Sequence, residues 1–298
     1  MKTRIIYLAA AACAMLASCG KEESPKAPGM GDGRIVFGVE EAFKVSTKAV
    51  TESTVSLVQT NGFKVAGITS AGSTMFNDVA SYNSTKSYYE TAQTYYWPSS
   101  GTMSFYAVYP KTQAIAVAAG AATLAYTSDG NTDLLAAKAE GVSKPESPAS
   151  QPLVFDHILS QYMMNAKGDT PGLTYRVSSV SLATPGTGTY AYADGSWARG
   201  ANTDKSYFSG TQDISGTTAA SFGDAMTVLP GDVVITVKYK VFDGTIELGD
   251  YTKSQTVSLT KGKKCTVNAT LPFDGAAPIT FTVTVNPWGT ESRDVTFE

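Results

Sequence analysis

The sequence is poor in histidine and cysteine. Its 298 residues include one histidine, His157, and three cysteines, Cys13, Cys19 and Cys265. A single histidine excludes most centres built from several imidazole ligands, such as three-histidine zinc sites. It does not exclude the carboxylate chemistry of glycoside hydrolases, which needs no histidine. The cysteines follow no metal-binding spacing, and we predict neither a metal ion nor a cofactor.

Charge is also scarce and shows no basic excess. Charged residues make up 16% of the chain, and 23 Lys and Arg against 26 Asp and Glu give a formal net charge of -3. A generic nucleic-acid binder needs clustered cations to neutralise phosphates, so we expect no nucleic-acid partner. The hydrophobic content of 43% is sufficient for a packed core, and the length favours about two domains.

The N-terminus has the pattern of a cleaved export signal. Lys2 and Arg4 precede an apolar run over residues 5–17. This run is too short to span a bilayer, but it has the length of a signal-peptide core. We therefore predict a signal peptide over residues 1–18.

The end of this signal indicates a lipid anchor. The four residues Leu16-Ala17-Ser18-Cys19 resemble a bacterial lipobox, in which a peptidase cuts before the cysteine and the thiol is acylated. We predict lipidation at Cys19, with palmitate among the acyl chains, and attachment to the outer membrane. The alternative is an ordinary secretory signal with an incidental cysteine.

The segment after the cysteine is predicted to be a flexible tether over residues 19–34, because it contains several Pro and Gly residues. Its first residues, Gly20-Lys21-Glu22-Glu23, resemble the surface-export signal of Bacteroidota lipoproteins. We therefore expect a surface-exposed protein. Cys13 lies in the predicted signal peptide and Cys19 is predicted to be lipidated, so Cys265 is the one cysteine with a free thiol. We therefore predict no intramolecular disulfide, and we expect Cys265 to be buried and inert.

The rest of the chain alternates apolar and polar residues with a period of two. Clear examples cover residues 35–39, 103–109, 233–239 and 279–285. This pattern predicts antiparallel strands with one buried and one hydrated face. Val55 and Leu57 are expected to open a further strand, whereas the alanine-rich residues 114–125 fit a short helix, a strand or a loop.

A turn-rich connector over residues 167–172 follows a predicted strand at 153–164 and suggests a domain boundary. We predict an N-terminal β-sandwich over residues 35–166 and a C-terminal β-sandwich over residues 167–298. Each has a typical sandwich size.

Several landmarks then resemble one family. They are Tyr96-Trp97-Pro98 before the strand that ends at Tyr109-Pro110, Asp133-Leu134-Leu135 with Phe155-Asp156-His157, Gly188-Thr189-Tyr190 with Trp197, and the closing Ile279-Thr280-Phe281 with Trp288. In this order they resemble the Bacteroidales fimbrillin-like (Mfa-like) surface lipoproteins. The resemblance implies an all-β fold of two tandem transthyretin-like antiparallel β-sandwich domains and a role as a shaft, anchor or tip pilin.

The same resemblance implies proteolytic maturation in the loop after the first strand. In that place the chain has Lys48 followed by Ala49, and the alternative is a polar loop with one lysine. Loss of the apolar strand over residues 35–45 would open a groove for a neighbour's donor strand. Residues 279–285 and the tail over residues 294–298 are the candidate donors.

The resemblance therefore favours a non-enzymatic subunit of a surface fimbrium that associates with other fimbrial subunits and supports adhesion. The main alternative is a lipid-anchored glycan-binding protein that does not polymerise, and a third is a carboxylate glycosidase. Tyr82, Tyr88 and Tyr89 lie in a polar stretch and are candidate contacts for a host or bacterial surface glycan or protein. His157 next to Asp156 could suggest a catalytic relay, but neighbouring strand residues face opposite sides, so we predict a structural histidine.

Overall fold

The computed structural model describes residues 33–41 and 55–288. The elements of its first half are β1 (Phe37–Glu41), α1 (Val55–Asn61), β2 (Phe63–Thr69), β3 (Thr74–Asn83), β4 (Tyr88–Thr91), β5 (Thr102–Tyr109), β6 (Ile115–Ala118), β7 (Ala121–Thr127), β8 (Leu135–Ser143) and β9 (Gln151–His157). Those of the second half are β10 (Ser160–Gly168), β11 (Thr174–Pro185), β12 (Thr187–Ala191), β13 (Trp197–Arg199), β14 (Asn202–Ser215), β15 (Ala220–Val228), β16 (Gly231–Asp243), β17 (Ile246–Leu259), β18 (Lys263–Leu271) and β19 (Thr280–Pro287). The predicted all-β fold is confirmed, and the transthyretin-like assignment stays a prediction.

The N-terminal strands close into a barrel in the order β1-β4-β3-β2-β5-β8-β9. Strand β1 pairs antiparallel with β4 and parallel with β9, so it joins the two ends of the sheet. The remaining neighbours pair antiparallel. Inward-facing side chains fill the barrel with an aromatic core, which includes Phe37, Phe63, Phe76, Phe105 and Phe155.

The C-terminal strands form two four-stranded sheets, ordered β15-β10-β18-β19 and β14-β11-β16-β17. One apolar core lies between them, with Tyr162 and Val267 from the first sheet and Val177 and Val237 from the second. Cys265 is completely buried in this core, and burial raises the pKa of its thiol. This environment agrees with the predicted inert cysteine.

A third sheet, β13-β12-β7-β6, combines strands from both halves of the chain. Its inner side chains share a core with the barrel wall, in which Leu124 packs with Tyr190 and Tyr192. Two hydrogen bonds fasten the junction: the Tyr192 hydroxyl donates to the Ala107 carbonyl at 2.9 Å, and Trp197 Nε1 donates to the Ile158 carbonyl at 2.8 Å. The two halves are therefore joined by a continuous packed junction.

Local predictions differ from the structure in two places. The strand expected from Val55 and Leu57 is wrong, because these residues lie in helix α1. Val58 is completely buried against the barrel, and Gly62, with a φ of 74°, ends the helix by donating its N–H to the Val58 carbonyl at 2.8 Å. Of the three conformations left open for residues 114–125, the structure has strands, because these residues form most of the hairpin of β6 and β7.

The strand expected at 153–164 is in fact two strands, β9 and β10, which belong to different sheets. Strand β10 pairs along its length with β15 and β18 of the C-terminal sheet. We therefore propose the domain boundary at Ile158 and Leu159, between β9 and β10, instead of between residues 166 and 167.

Candidate functional site

Strand β1 is held by backbone ladders on both sides. Phe37 pairs with Tyr89 of β4, and the stretch from Phe37 to Glu41 runs in parallel register with Gln151 to Phe155 of β9. Without β1, the edges of β4 and β9 would both be unpaired, and the barrel would be open.

The residues before β1 continue the backbone pairing with the neighbouring segment. The Ile35 N–H donates to the Tyr95 carbonyl at 2.8 Å, and the Trp97 N–H donates to the Gly33 carbonyl at 3.0 Å. The predicted aromatic-Trp-Pro landmark therefore lies directly beside the first strand. Trp97 is itself buried and meets Phe105 edge-on at a centroid distance of 5.5 Å.

The side chains of β1 complete the barrel core. Ile35 is 3% exposed and Phe37 is fully buried. The Phe37 ring makes edge contacts with Phe105, Phe63 and Phe76 at centroid distances of 5.3, 6.1 and 6.5 Å. Val39 is half-buried against the same core. Removing this strand would leave a groove lined by aromatic rings.

The segment that contains the predicted cleavage site, residues 42–54, lies between β1 and α1 in the sequence. Strand β1 stops at the level of Phe155, two positions before His157. Helix α1 ends at Asn61, whose Nδ2 donates to the Tyr109 hydroxyl at 3.1 Å, and Tyr109 pairs with Leu135, the partner of His157. The predicted cleavage site, Lys48 and Ala49, lies outside the described residues. The same holds for residues 42–45 of the predicted first strand.

The tyrosines predicted to contact a ligand are mostly buried. Tyr88 is 2% and Tyr89 is 3% exposed, and Tyr82 is half-buried with its ring 5.1 Å from Tyr89. Burial raises the pKa of Tyr89 to about 12. Both faces of β4 are covered, because Tyr89 faces the barrel core and Tyr88 packs against Val36. The ligand contact of these tyrosines stays a prediction, and it would require the rings to become exposed.

His157 lies at the junction but does not pair with Asp156. Its Nδ1 lies 2.9 Å from an Asp133 carboxylate oxygen, and its ring stacks on Trp288 at 4.4 Å with an interplanar angle of 7°. His157, Asp133 and Trp288 are all buried. The expectation of a structural histidine therefore fits its environment. The Asp133 and Trp288 contacts were not foreseen, although both residues belong to the family landmarks.

Among the described strands, β19 is at the edge of its sheet and pairs with β18 alone. Ile279, just before it, is 3% exposed, and Phe281 and Val283 are half-buried on the sandwich core. Val285 is 45% exposed. Apart from the buried Trp288 that follows it, β19 is less deeply packed than β1.

Comparisons with known proteins agree with this architecture. The model of the fimbrillin-like family matches residues 43–288, so the chain belongs to the fimbrillin-like family. No curated protein matches the sequence.

Two solved structures share the fold. A fimbrial protein from Bacteroides vulgatus aligns with a TM-score of 0.61 and 16% identity, over 86% of this chain and 99% of that one. A candidate cell adhesion protein from Parabacteroides distasonis aligns with a TM-score of 0.54 and 11% identity, over 87% of this chain and 98% of that one. Family membership supports a fimbrial subunit role and a cell-surface location.

The anchor predicted at Cys19 lies outside the described residues. Within residues 33–41 and 55–288, no helix is both long and apolar enough to cross a membrane.

Proposed function

We propose that the chain is a structural, non-enzymatic subunit of a cell-surface fimbrium that accepts a donor strand after its first strand has been removed. The observation that carries this proposal is the position of β1. It is a short N-terminal strand that closes the barrel between β4 and β9, and it is followed by the segment that contains Lys48 and Ala49.

The burial of β1 supplies the driving force for exchange. Ile35, Phe37 and Val39 face the barrel core. At about 1.5–3 kcal/mol for each large side chain, their loss would cost about 4–9 kcal/mol. This amount is comparable with the whole stability of a typical domain, about 5–15 kcal/mol. An emptied groove would therefore bind a replacement strand strongly, because backbone ladders and apolar pockets both become available.

Cleavage after Lys48 is proposed as the switch. In the uncut chain, β1 occupies the groove and the subunit stays monomeric. After cleavage, the fragment that ends at Lys48 is no longer covalently attached to the barrel and can leave. Lipidation at Cys19 would hold the uncut subunit at the outer membrane until then, since the anchor and β1 lie on the same side of the cut.

Refilling the groove tests this proposal. The purified chain is cut with a trypsin-like protease, the freed fragment is removed, and a peptide of residues 33–41 is added back. We expect the peptide to raise the unfolding temperature of the cut protein, and a Phe37→Asp version of it to have no effect. Lys48→Gln should prevent the cut at this position and leave the fold unchanged, since a substitution in the polar loop predicted there usually changes stability by less than about 0.5 kcal/mol. A cut protein that keeps its full stability and ignores the peptide would contradict the proposal.

The anchor has an independent test. Cys19→Ala should abolish palmitate labelling and move the protein out of the membrane fraction. Labelling that persists in this variant would contradict the lipobox assignment without affecting strand exchange.

A further inference from the structure

A small cavity lies at the end of the barrel where β1 begins and β8 ends. Its volume is about 200 Å³, and its walls are the backbone before β1, at Gly33 and Arg34, the Trp97 side chain, and the loop between β8 and β9. Sites for drug-sized molecules have volumes of about 300–1,000 Å³. This cavity therefore suits a ligand with a single ring.

Lys144 provides a cation in the loop wall of the cavity. A Cβ atom added at Gly33 would lie 3.2 Å from the Lys144 Nζ, so the ammonium group reaches across to the opposite wall. It makes no hydrogen bond or ion pair within the part of the chain that the structure describes. A carboxylate that enters the cavity would therefore meet a cation without having to displace a protein carboxylate.

Trp97 provides a hydrogen-bond donor and an apolar wall. Its side chain is buried and packs edge-on against Phe105. Its Nε1 donates to no residue that the structure describes, whereas the Nε1 of Trp197 donates to the Ile158 carbonyl. Unlike the Nε1 of Trp288, it is also not one of the unpaired atoms that are sealed from solvent. A buried indole usually finds an acceptor for its N–H, and a ligand oxygen would supply one here.

The walls of the cavity are fixed before any ligand binds. The Trp97 N–H donates to the Gly33 carbonyl at 3.0 Å, which holds two of the walls together. Gly33 has a φ of 75°, so a side chain at this position would be strained and would also crowd Lys144. In the opposite loop, Pro145 and Pro148 restrict the backbone. A preformed site of this kind loses little conformational freedom when it binds a ligand.

We propose that this cavity binds a sugar acid, that is, one pyranose ring with a carboxylate and several hydroxyl groups. The Lys144 ammonium pairs with the carboxylate, the Trp97 N–H donates to an oxygen of the ring, and the Glu146 carboxylate accepts from a hydroxyl group. Pro145 and Pro148 cover the apolar face of the ring. Glu146 repels inorganic anions, which have no hydroxyl group to offer in return, and so adds selectivity.

The site also involves residues that the proposed cleavage would remove. Gly33 and Arg34 precede Lys48 in the chain, so a cut protein that has lost its N-terminal fragment lacks one wall of the cavity. Because a ligand stabilises the form that it binds, a bound sugar acid would keep β1 in place. This consequence rests on the proposed function, whereas binding to the uncut chain does not.

Calorimetric titration of the uncut chain with glucuronate tests the site. Glucose lacks the carboxylate, acetate lacks the ring, and sulfate has charge without the ring, so these three compounds are the comparisons. We expect saturable binding of glucuronate and binding of each comparison compound that is weaker by about tenfold or more, since each lacks one of the matched groups.

A pair of lysine variants assigns the binding to this cavity. Lys144→Gln should weaken glucuronate binding by about tenfold or more, because a charge-assisted hydrogen bond is lost. The matched control is Lys111→Gln, which changes an exposed lysine in the turn after β5 and should leave the affinity unchanged. A chain that does not bind glucuronate, or that binds it equally well with Lys144→Gln, would overturn the site.

Two further ligands define the chemistry. Sulfate that binds as tightly as glucuronate would show an adventitious ion only and would overturn the assignment to a sugar acid. A disaccharide that ends in glucuronate separates the two sources of this chemistry. Binding as tight as that of the free acid supports recognition of a glycan end, and much weaker binding supports a free sugar acid as the ligand.

The cut protein separates this inference from the proposed function. Glucuronate should slow the release of the fragment that ends at Lys48, and the protein without this fragment should bind glucuronate about tenfold more weakly or worse. Equal binding to the cut protein would overturn the part assigned to Gly33 and Arg34, and an unchanged release rate would overturn the effect on β1. If the cut protein keeps its full stability and ignores the peptide of residues 33–41, the proposed function fails, and glucuronate binding to the uncut chain still decides the site.

Discussion

Strands β1 and β19 carry the same apolar pattern but occupy opposite environments. Strand β1 has a neighbour on each side and closes the barrel between β4 and β9. Among the described strands β19 has a single neighbour, and its outward face carries Thr280, Thr282 and Thr284, whereas Val285 lies on the core-side face but is 45% exposed. The alternation of apolar and polar residues therefore determines which face of a strand is apolar. The number of neighbouring strands then decides how much the strand contributes to stability.

Truncating one ring in each strand should separate these environments most clearly. Phe37→Ala in the uncut protein is expected to lower the free energy of unfolding by about 3–5 kcal/mol, because it leaves a cavity among three aromatic rings. Phe281→Ala, at the sheet edge, should lower it by about 1–2 kcal/mol. Urea midpoints at unchanged slope measure both effects. Equal shifts would contradict the difference in burial between the two strands.

Trp288 provides the main exception to the loose packing of β19. Its ring is buried and stacked on His157, although its Nε1 has no hydrogen-bond partner among the described residues. Trp288→Ala should destabilise the chain by about 2–4 kcal/mol, and it should accelerate amide exchange in β19 while leaving β1 protected.

The matched control is Trp288→Phe, which keeps an aromatic ring for stacking and removes the unpaired N–H. We expect it to retain most of the exchange protection in β19. Faster exchange in β1 than in β19 after Trp288→Ala would show that this residue does not hold the last strand in place.

The acidic side chain of Asp169, directly after β10 and beside the end of β18, predicts a smaller, pH-dependent effect. Partial burial pushes the pKa of Asp169 upwards, but hydrogen bonds from the Tyr175 hydroxyl at 2.6 Å, the Thr170 hydroxyl at 2.8 Å and the Phe273 N–H at 3.0 Å outweigh it and hold the pKa below its usual value. A lowered pKa in the folded state stabilises the fold at pH values above the unfolded pKa of about 3.9. This contribution is lost as the pH falls through the lower, folded pKa.

Asp169→Asn should therefore reduce stability at neutral pH by about 1 kcal/mol and flatten the loss of stability below about pH 4. Urea denaturation at a series of pH values measures the free energy of unfolding and its pH dependence. Asp274→Asn is a suitable comparison, because Asp274 accepts only the N–H of Ala276 within its own turn among the described hydrogen bonds. An unchanged pH profile in Asp169→Asn would contradict the assigned role.

The smallest effect is expected at Gly38. Gly38→Thr in the uncut chain places a β19-type side chain on the outward face of β1, where it meets Ser150. We expect a loss of about 0.5–1 kcal/mol that Ser150→Ala relieves. A loss of several kcal/mol that Ser150→Ala does not relieve would contradict the assignment of Ser150 as the residue that limits the space at this position.

Local alternation was enough to predict three of the strands, although β5 is buried on both faces, with Phe105 in the barrel core and Tyr106 in the junction core. Residues 103–109, 233–239 and 279–285 fall within β5, β16 and β19, or immediately before them. The burial of Tyr88 and Tyr89 could not be predicted in this way, because consecutive residues are buried on opposite faces of β4 and the polar residues around them indicate exposure. Alternation failed at Val55 and Leu57, where a glycine-capped helical turn covers the barrel.

The junction could not be predicted from the sequence, because it depends on contacts between distant segments. The sheet that combines β7 with β12 joins residues about sixty positions apart, such as Thr127 and Thr187. Asp133, His157 and Trp288 meet there from three separate parts of the chain. The family landmarks marked these residues without revealing that they touch.

The most direct test of strand exchange is the N-terminal residue of the subunit inside an assembled fimbrium, measured by mass spectrometry together with a search for the released fragment. Strand exchange after cleavage at Lys48 predicts subunits that begin at Ala49 and lack residues 33–41. Assembled subunits that still begin at Cys19 and retain β1 would contradict it.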